Sequence, residues 1–243
     1  MSRPSEPVLR VTGLRKTYGT AEAPVRALRG VDLEVAAGEF VALRGPSGSG
    51  KSTLLGLVAG LEAPDEGEVL LAGASMSAQT AAGAARLRRR HVGMVFQFFH
   101  LIEGMSAHEN VALAALVAGA PRRTADRRAH ELLDLLGLLD KAVTSPAALS
   151  GGQRQRLAIA RALAGEPTLL LADEPTGALD TAGAAEVLEL FARLHRAGQA
   201  ILLVTHSPDV AAAADRVVHL RDGLVERVEQ PAAGRPVPQQ VGS

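Results

Sequence analysis

The sequence predicts an α/β fold on a largely parallel sheet, with a small antiparallel β unit near its start and a block of helices inserted later. Three observations predict it. Short β-rich runs alternate with helical patterns through most of the 243 residues, the order that a parallel sheet with crossover helices requires. The first runs, at residues 8–11, 25–28 and 31–35, are alternating and divided by turn residues, which suits an antiparallel sheet. From Ser106 to about Asp140 the pattern is helical only.

In chain order, Phe40–Arg44 is an unbroken apolar run and reads as a buried strand, followed by a Gly-rich loop and a helix over residues 50–60. Residues 68–71 suit a strand, 84–90 a short basic helix, and 92–97 another strand. Ser106 and Glu109 have capping-box spacing, in which each side chain satisfies the other's backbone N–H. Thr124 is placed to cap a second helix whose apolar face holds Leu132, Leu133, Leu135 and Leu136. Alternation then resumes with a strand at 168–172, a helix at 182–196, and strands at 200–205 and 216–220, closed by a turn at Asp222 and Gly223. One domain over residues 8–229, with a helical unit at about 100–165, accounts for the whole pattern. Residues 230–243 are rich in Pro, Gln and Gly and are expected to form a flexible tail.

Composition excludes several classes. Hydrophobic residues make up 47% of the chain, enough for a sizeable core at this length. Lys plus Arg and Asp plus Glu both number 26, so no net field argues for a nucleic-acid partner. With no cysteine there is neither a disulfide framework nor a thiolate metal site. The opening MSRPSEPVLRVTG has no apolar core, so no signal peptide is expected. The longest apolar stretches fall short of the ~20 residues a membrane span needs, which suggests a soluble, cytoplasmic chain.

Gly45, Pro46, Ser47, Gly48, Ser49, Gly50, Lys51, Ser52 and Thr53 match G-x-x-x-x-G-K-[ST], after a strand and before a helix. Glycines let backbone N–H groups converge on phosphate oxygens, and a helix N-terminus adds partial positive charge. Lys51 would then reach the β- and γ-phosphates, and the Ser52 hydroxyl would coordinate Mg²⁺. A second motif, Leu169 to Pro175, is an apolar strand ending in two carboxylates. Carboxylates there lie beside the phosphate loop of a neighbouring strand. Asp173 can hold the Mg²⁺ shell and Glu174 can polarise the attacking water. A third, Leu149-Ser150-Gly151-Gly152-Gln153, precedes a helical run at 154–163 and makes a second Gly-rich helix start. One nucleotide has no use for two cradles in a single chain. A twofold dimer, with each ATP between one chain's phosphate loop and the partner's Ser150 segment, uses both.

Ser150 stands 23 residues before Asp173, and a helical insertion separates both from the phosphate loop. In this order the motifs resemble the ATP-binding cassette family over roughly residues 9–227. The resemblance implies a P-loop NTPase, RecA-like core that hydrolyses ATP with Mg²⁺ as a homodimer. It also implies a separate transmembrane permease, with the chain peripheral on the inner face of the membrane. It further assigns Tyr18 to adenine stacking, and Gln97 to Mg²⁺, the water and sensing of the transmembrane partner. His206 is similar to the family's γ-phosphate histidine. Asp180 resembles the residue that communicates across the dimer, and it equally suits the N-cap of the next helix, so both roles stand. The run VRALRGVDLEVAAGEFVALRGPSGSGKSTLL is similar to the lipoprotein-release and macrolide-export branch, although Glu103 stands where that branch commonly has proline.

A cell-division ATPase shares much of this look, so a mechanical or signalling role beside a membrane protein stays open. A nucleic-acid-associated cassette lacks support, because tandem cassettes, long coiled coils and zinc modules are absent and an exposed basic helix explains Arg86 to Arg90. Three of the five phenylalanines lie at Phe96, Phe98 and Phe99. Phe96 is expected in the core, and at least one of Phe98 and Phe99 exposed at a partner groove.

Overall fold

The computed structural model describes residues 6–20 and 22–230, so the expected tail lies outside the described residues except for Gln230. The α/β class is as the sequence predicts. Two sheets form. The first is antiparallel and contains β1 (Leu9–Thr20), β2 (Ala23–Val35), β4 (Glu66–Leu71) and β5 (Ala74–Ser75), in the order β2-β1-β4-β5. The short N-terminal runs are parts of two long strands, joined through register shifts after Val11, Leu14 and Lys16 that curl the ribbon.

The second sheet contains β3 (Phe40–Arg44), β6 (Val92–Val95), β7 (Leu169–Asp173), β8 (Ala200–Val204), β9 (Arg216–Arg221) and β10 (Leu224–Glu229). Its order is β10-β9-β3-β8-β7-β6, parallel from β9 to β6, with β10 antiparallel at one edge. Strand β8 therefore separates β3 from β7. The expected direct neighbourhood of the phosphate-loop strand and the carboxylate strand is corrected, because strand order is a tertiary property that neither motif encodes.

All five residues of β8 are buried, and the pleat sends them alternately to two cores. Ile201 and Leu203 join one apolar cluster, and Ala200, Leu202 and Val204 the other. Each leucine so buried contributes about 1.5–3 kcal/mol. One face is covered by α3 (Ala107–Val117), α4 (Arg122–Leu135), α5 (Gly151–Leu163) and α6 (Thr181–Arg196). The other face meets α1 (Lys51–Val58) and the antiparallel sheet, while α2 (Ala81–His91) leads into β6.

Several local expectations change. Pro121, extended at φ −60° and ψ 149°, sits at the N-cap of α4, so Thr124 falls inside the first turn and caps nothing. Leu132, Leu133 and Leu136 are buried, but Leu135 is 47% exposed. Strand β6 stops at Val95, so Phe96 is half-buried outside the core, its ring edge-on to His100. Helix α5 starts at Gly151, three residues early, because Ser150 and Gln153 form a capping box. A short helix α7 (Pro208–Ala212), capped by Ser207, and strand β10 were not anticipated. Among the described residues no helix is long and apolar enough to cross a membrane.

Candidate active site

The phosphate loop joins β3 to α1. A Cβ on Gly45 would strike the Leu220 carbonyl, and one on Gly50, which holds φ +102°, would strike the Ala27 carbonyl, so neither position takes a side chain. Helix α1 has no side-chain cap and no acidic residue in its first turn, which leaves its first N–H groups facing the loop. The buried Lys51 ammonium donates to the carbonyls of Gly45 at 3.0 Å and Pro46 at 2.9 Å. Burial lowers its pKa, and the nearby Glu174 and Asp173 oppose that shift. The Ser49 hydroxyl is buried without a partner.

A cavity of about 310 Å³ opens above this loop. Ser47, Gly48, Gly50, Lys51, Ser52 and Thr53 line one wall, and Gln97, Asp173, Glu174 and His206 line another. The two motifs meet across β8 rather than across adjacent strands. The Ser52 hydroxyl lies beside the Asp173 carboxylate, whose pKa is raised by burial and held back by Ser52 and Lys51. Glu174 lies at φ +46°, a left-handed conformation rare for a residue with a long side chain, and its N–H continues the ladder to the Val204 carbonyl at 3.0 Å. Its Oε2 accepts from the His206 backbone N–H at 3.2 Å. Its Oε1 lies 3.2 Å from His206 Nε2 but outside hydrogen-bond alignment, so that oxygen is buried without a donor. Gln97 packs its amide against Gly177.

The second Gly-rich segment stands elsewhere. Ser150 and Gln153 close their capping box at 2.9 and 3.2 Å, and Gly151 and Gly152 lie against Leu179 and Gly183 of the same chain. Asp180 accepts from the Gly183 N–H at 2.8 Å, so it is the N-cap of α6. Neither segment lines the Lys51 cavity.

A family model described as ABC transporter matches residues 28–177. The chain belongs to the ABC transporter family. The lipoprotein-releasing system ATP-binding protein LolD of Ruegeria sp. (strain TM1040) is 50% identical over 227 residues, covering 92% of this chain and 100% of that protein. Macrolide export ATP-binding/permease protein MacB 1 of Aeromonas hydrophila is 46% identical over 96% of this chain, but the chain spans only 36% of that protein's length. The dimeric ATP-binding cassette MJ0796, solved in a post-hydrolysis state with ADP and Pi, superposes with a TM-score of 0.84 at 39% identity, over 93% of this chain and 100% of that one. The chain is thus an ABC ATPase cassette.

Within the cassette, Tyr18 is not among the residues that line the cavity, although its hydroxyl lies close to Thr53, which is. Its hydroxyl donates to Glu62 at 2.8 Å, and burial, followed by Glu62, raises its pKa. The cavity wall nearest to it comes from Val25, Arg26 and Ala27 on the paired strand β2, which the sequence reading passed over. The reading also passed over Arg154 and Arg161 of α5, although their seven-residue spacing places both on one helix face.

Proposed function

We propose that the Lys51 cavity hydrolyses MgATP to ADP and phosphate, and that two copies of the cassette close head to tail around two nucleotides. The observation that carries the chemistry is the buried, undonated Oε1 of Glu174 in the same cavity as the Lys51 ammonium. An acceptor so placed takes a hydrogen bond from a water. As the water oxygen attacks the γ-phosphorus, the bond to the β–γ bridging oxygen breaks and its electron pair leaves on ADP. Glu174 accepts the water's proton and returns it to phosphate. Lys51 exchanges its two carbonyl acceptors for β- and γ-phosphate oxygens, and His206 addresses the γ-phosphate.

The Ser52 hydroxyl, the Asp173 carboxylate and the Gln97 amide oxygen supply hard oxygen donors of the kind Mg²⁺ takes beside phosphates, and the bound ion would neutralise charge on the β- and γ-oxygens. Tyr18, one strand over from Val25 to Ala27, is assigned to the adenine. The remote Ser150–Gln153 helix start meets a nucleotide only if a partner supplies it, and Asp180 then lies at that junction. The dimeric form of MJ0796 supports this arrangement.

The cassette serves a permease, on whose cytoplasmic side it sits. An open groove of about 560 Å³, floored by Met94, Phe96 and Val117, carries Arg88, Arg89 and Arg161 and no Asp or Glu. Its charge suits an apolar permease helix bearing acidic residues. Phe98 beside it is 68% exposed.

The test uses Glu174→Gln. Hydrolysis should fall roughly 10²–10⁴-fold, or ~3–5 kcal/mol of barrier, with ATP binding retained. With ATP and Mg²⁺ this variant should elute as a dimer, and adding Ser150→Arg should return it to monomer. Near-normal turnover sinks the role of Glu174, and an ATP-dependent dimer that survives Ser150→Arg sinks the head-to-tail arrangement.

A further inference from the structure

We infer that Arg154 and Arg161 are positioning residues, which hold Gln97 at the cavity by clamping the two residues in left-handed conformation that follow it. The inference rests on the proposed role of Gln97. Phe99 and His100 adopt φ +61° and +49° in succession, although neither is glycine. Bulky side chains occupy that region only where surrounding contacts over-determine it. Here two arginines do so. Arg161 donates through Nη2 to the Phe99 carbonyl at 2.8 Å and through Nη1 to the His100 carbonyl. The planar fork of a guanidinium meets two successive carbonyls at once, which an ammonium does not. Arg154 lies over the side chain of the same residue, its guanidinium carbon 5.3 Å from the Phe99 ring centroid, with Nε buried and unpaired. Burial lowers the pKa of Arg161, in keeping with a cation enclosed by the segment it grips.

Both arginines project from α5, the helix whose first turn is the Ser150–Gln153 capping box. A rigid helix so attached links the place where a partner's nucleotide is met to the side chain at this chain's own cavity. Displacing α5 pulls on Phe99 and His100 and so re-aims Gln97, two residues before Phe99.

Arg161→Lys keeps the charge and loses the fork. Melting temperature and nucleotide affinity should stay near wild type, while kcat falls roughly 10–100-fold and hydrogen exchange quickens at the amides of residues 97–101. Adding His100→Gly, which adopts positive φ without steric cost, should restore much of kcat. A wild-type rate, unchanged amide protection, or no recovery in the double variant overturns the clamp. Gln97→Ala separates the two levels. If Gln97→Ala turns over normally, the role of Gln97 itself falls. If it is impaired while Arg161→Lys is not, the clamp alone falls. Should Arg161→Lys misfold, Phe99→Leu removes the ring contact at similar volume. It should melt normally and lose protection at His100, and retained protection there overturns the proposal.

Discussion

At Asp173, burial raises the carboxyl pKa while the Ser52 hydroxyl and the Lys51 ammonium pull it back. A carboxyl whose folded pKa exceeds its unfolded value binds its proton more tightly in the native state. Its stabilising contribution is complete below the unfolded pKa and is lost as pH rises through the folded one. At neutral pH the ionised group is therefore a local cost, retained for the oxygen donor it provides. Asp173→Asn should melt no lower than wild type at pH 7 without nucleotide. Its advantage should shrink on acidification toward pH 4, and the stimulation of hydrolysis by Mg²⁺ should disappear. Melting curves across pH, paired with a Mg²⁺ titration of activity, check both halves. The carboxylate pair was legible from its place at the end of an apolar run. The left-handed backbone of Glu174 was not, because it arises from the ladder to Val204 rather than from any residue preference.

Helices α3 and α5 both begin on a serine with a Glu or Gln three residues on, yet only the first was read as a capping box, and the second helix was placed three residues late. Ser106 precedes good helix formers, whereas Ser150 precedes two glycines, whose weak helix propensity hides the same capping box. The start of α4 failed the other way, since Pro121 supplies fixed φ without a side-chain cap and Thr124 only looked like one. Strand β10 escaped notice because it is an exposed edge strand in which Glu226, Arg227 and Glu229 leave few apolar positions. The caps have measurable worth. Around Ser106, Oγ donates to Glu109 at 2.8 Å and accepts from its N–H at 3.2 Å, and the Ser106 backbone N–H, followed by that hydroxyl, lowers the Glu109 pKa. Ser106→Ala should cost about 1 kcal/mol, read as a fall of roughly 2–4 °C in melting temperature for a chain of this size. An unchanged melt shows that α3 is held by its packing against α4 and α5 alone.

For the molecule as a whole, the class of fold and the three motifs were legible because each is local, and the separation of the two Gly-rich segments followed from one nucleotide having no use for both, while the order of strands was not legible. The phenylalanines illustrate the limit. Phe98 is exposed as expected, but Phe99 is spent on Arg154 and Phe96 lines the Arg-bearing groove. Phe98→Asp, which places a like charge to that of an acidic permease helix at the groove, should leave ATP binding and solubility intact. It should also release the protein from membranes containing its permease. Co-sedimentation at wild-type levels would remove Phe98 from the docking surface.

Strand β8 does more than fill the sheet between β3 and β7. Two strand spacings put the axes of β3 and β7 about 9–10 Å apart, a separation that direct pairing would halve. The sheet thus acts as a ruler that sets how far apart the two strands deliver their residues to the cavity both line. Because β8 runs on through Thr205 into His206, the same strand that sets the width delivers the histidine to the middle of the gap.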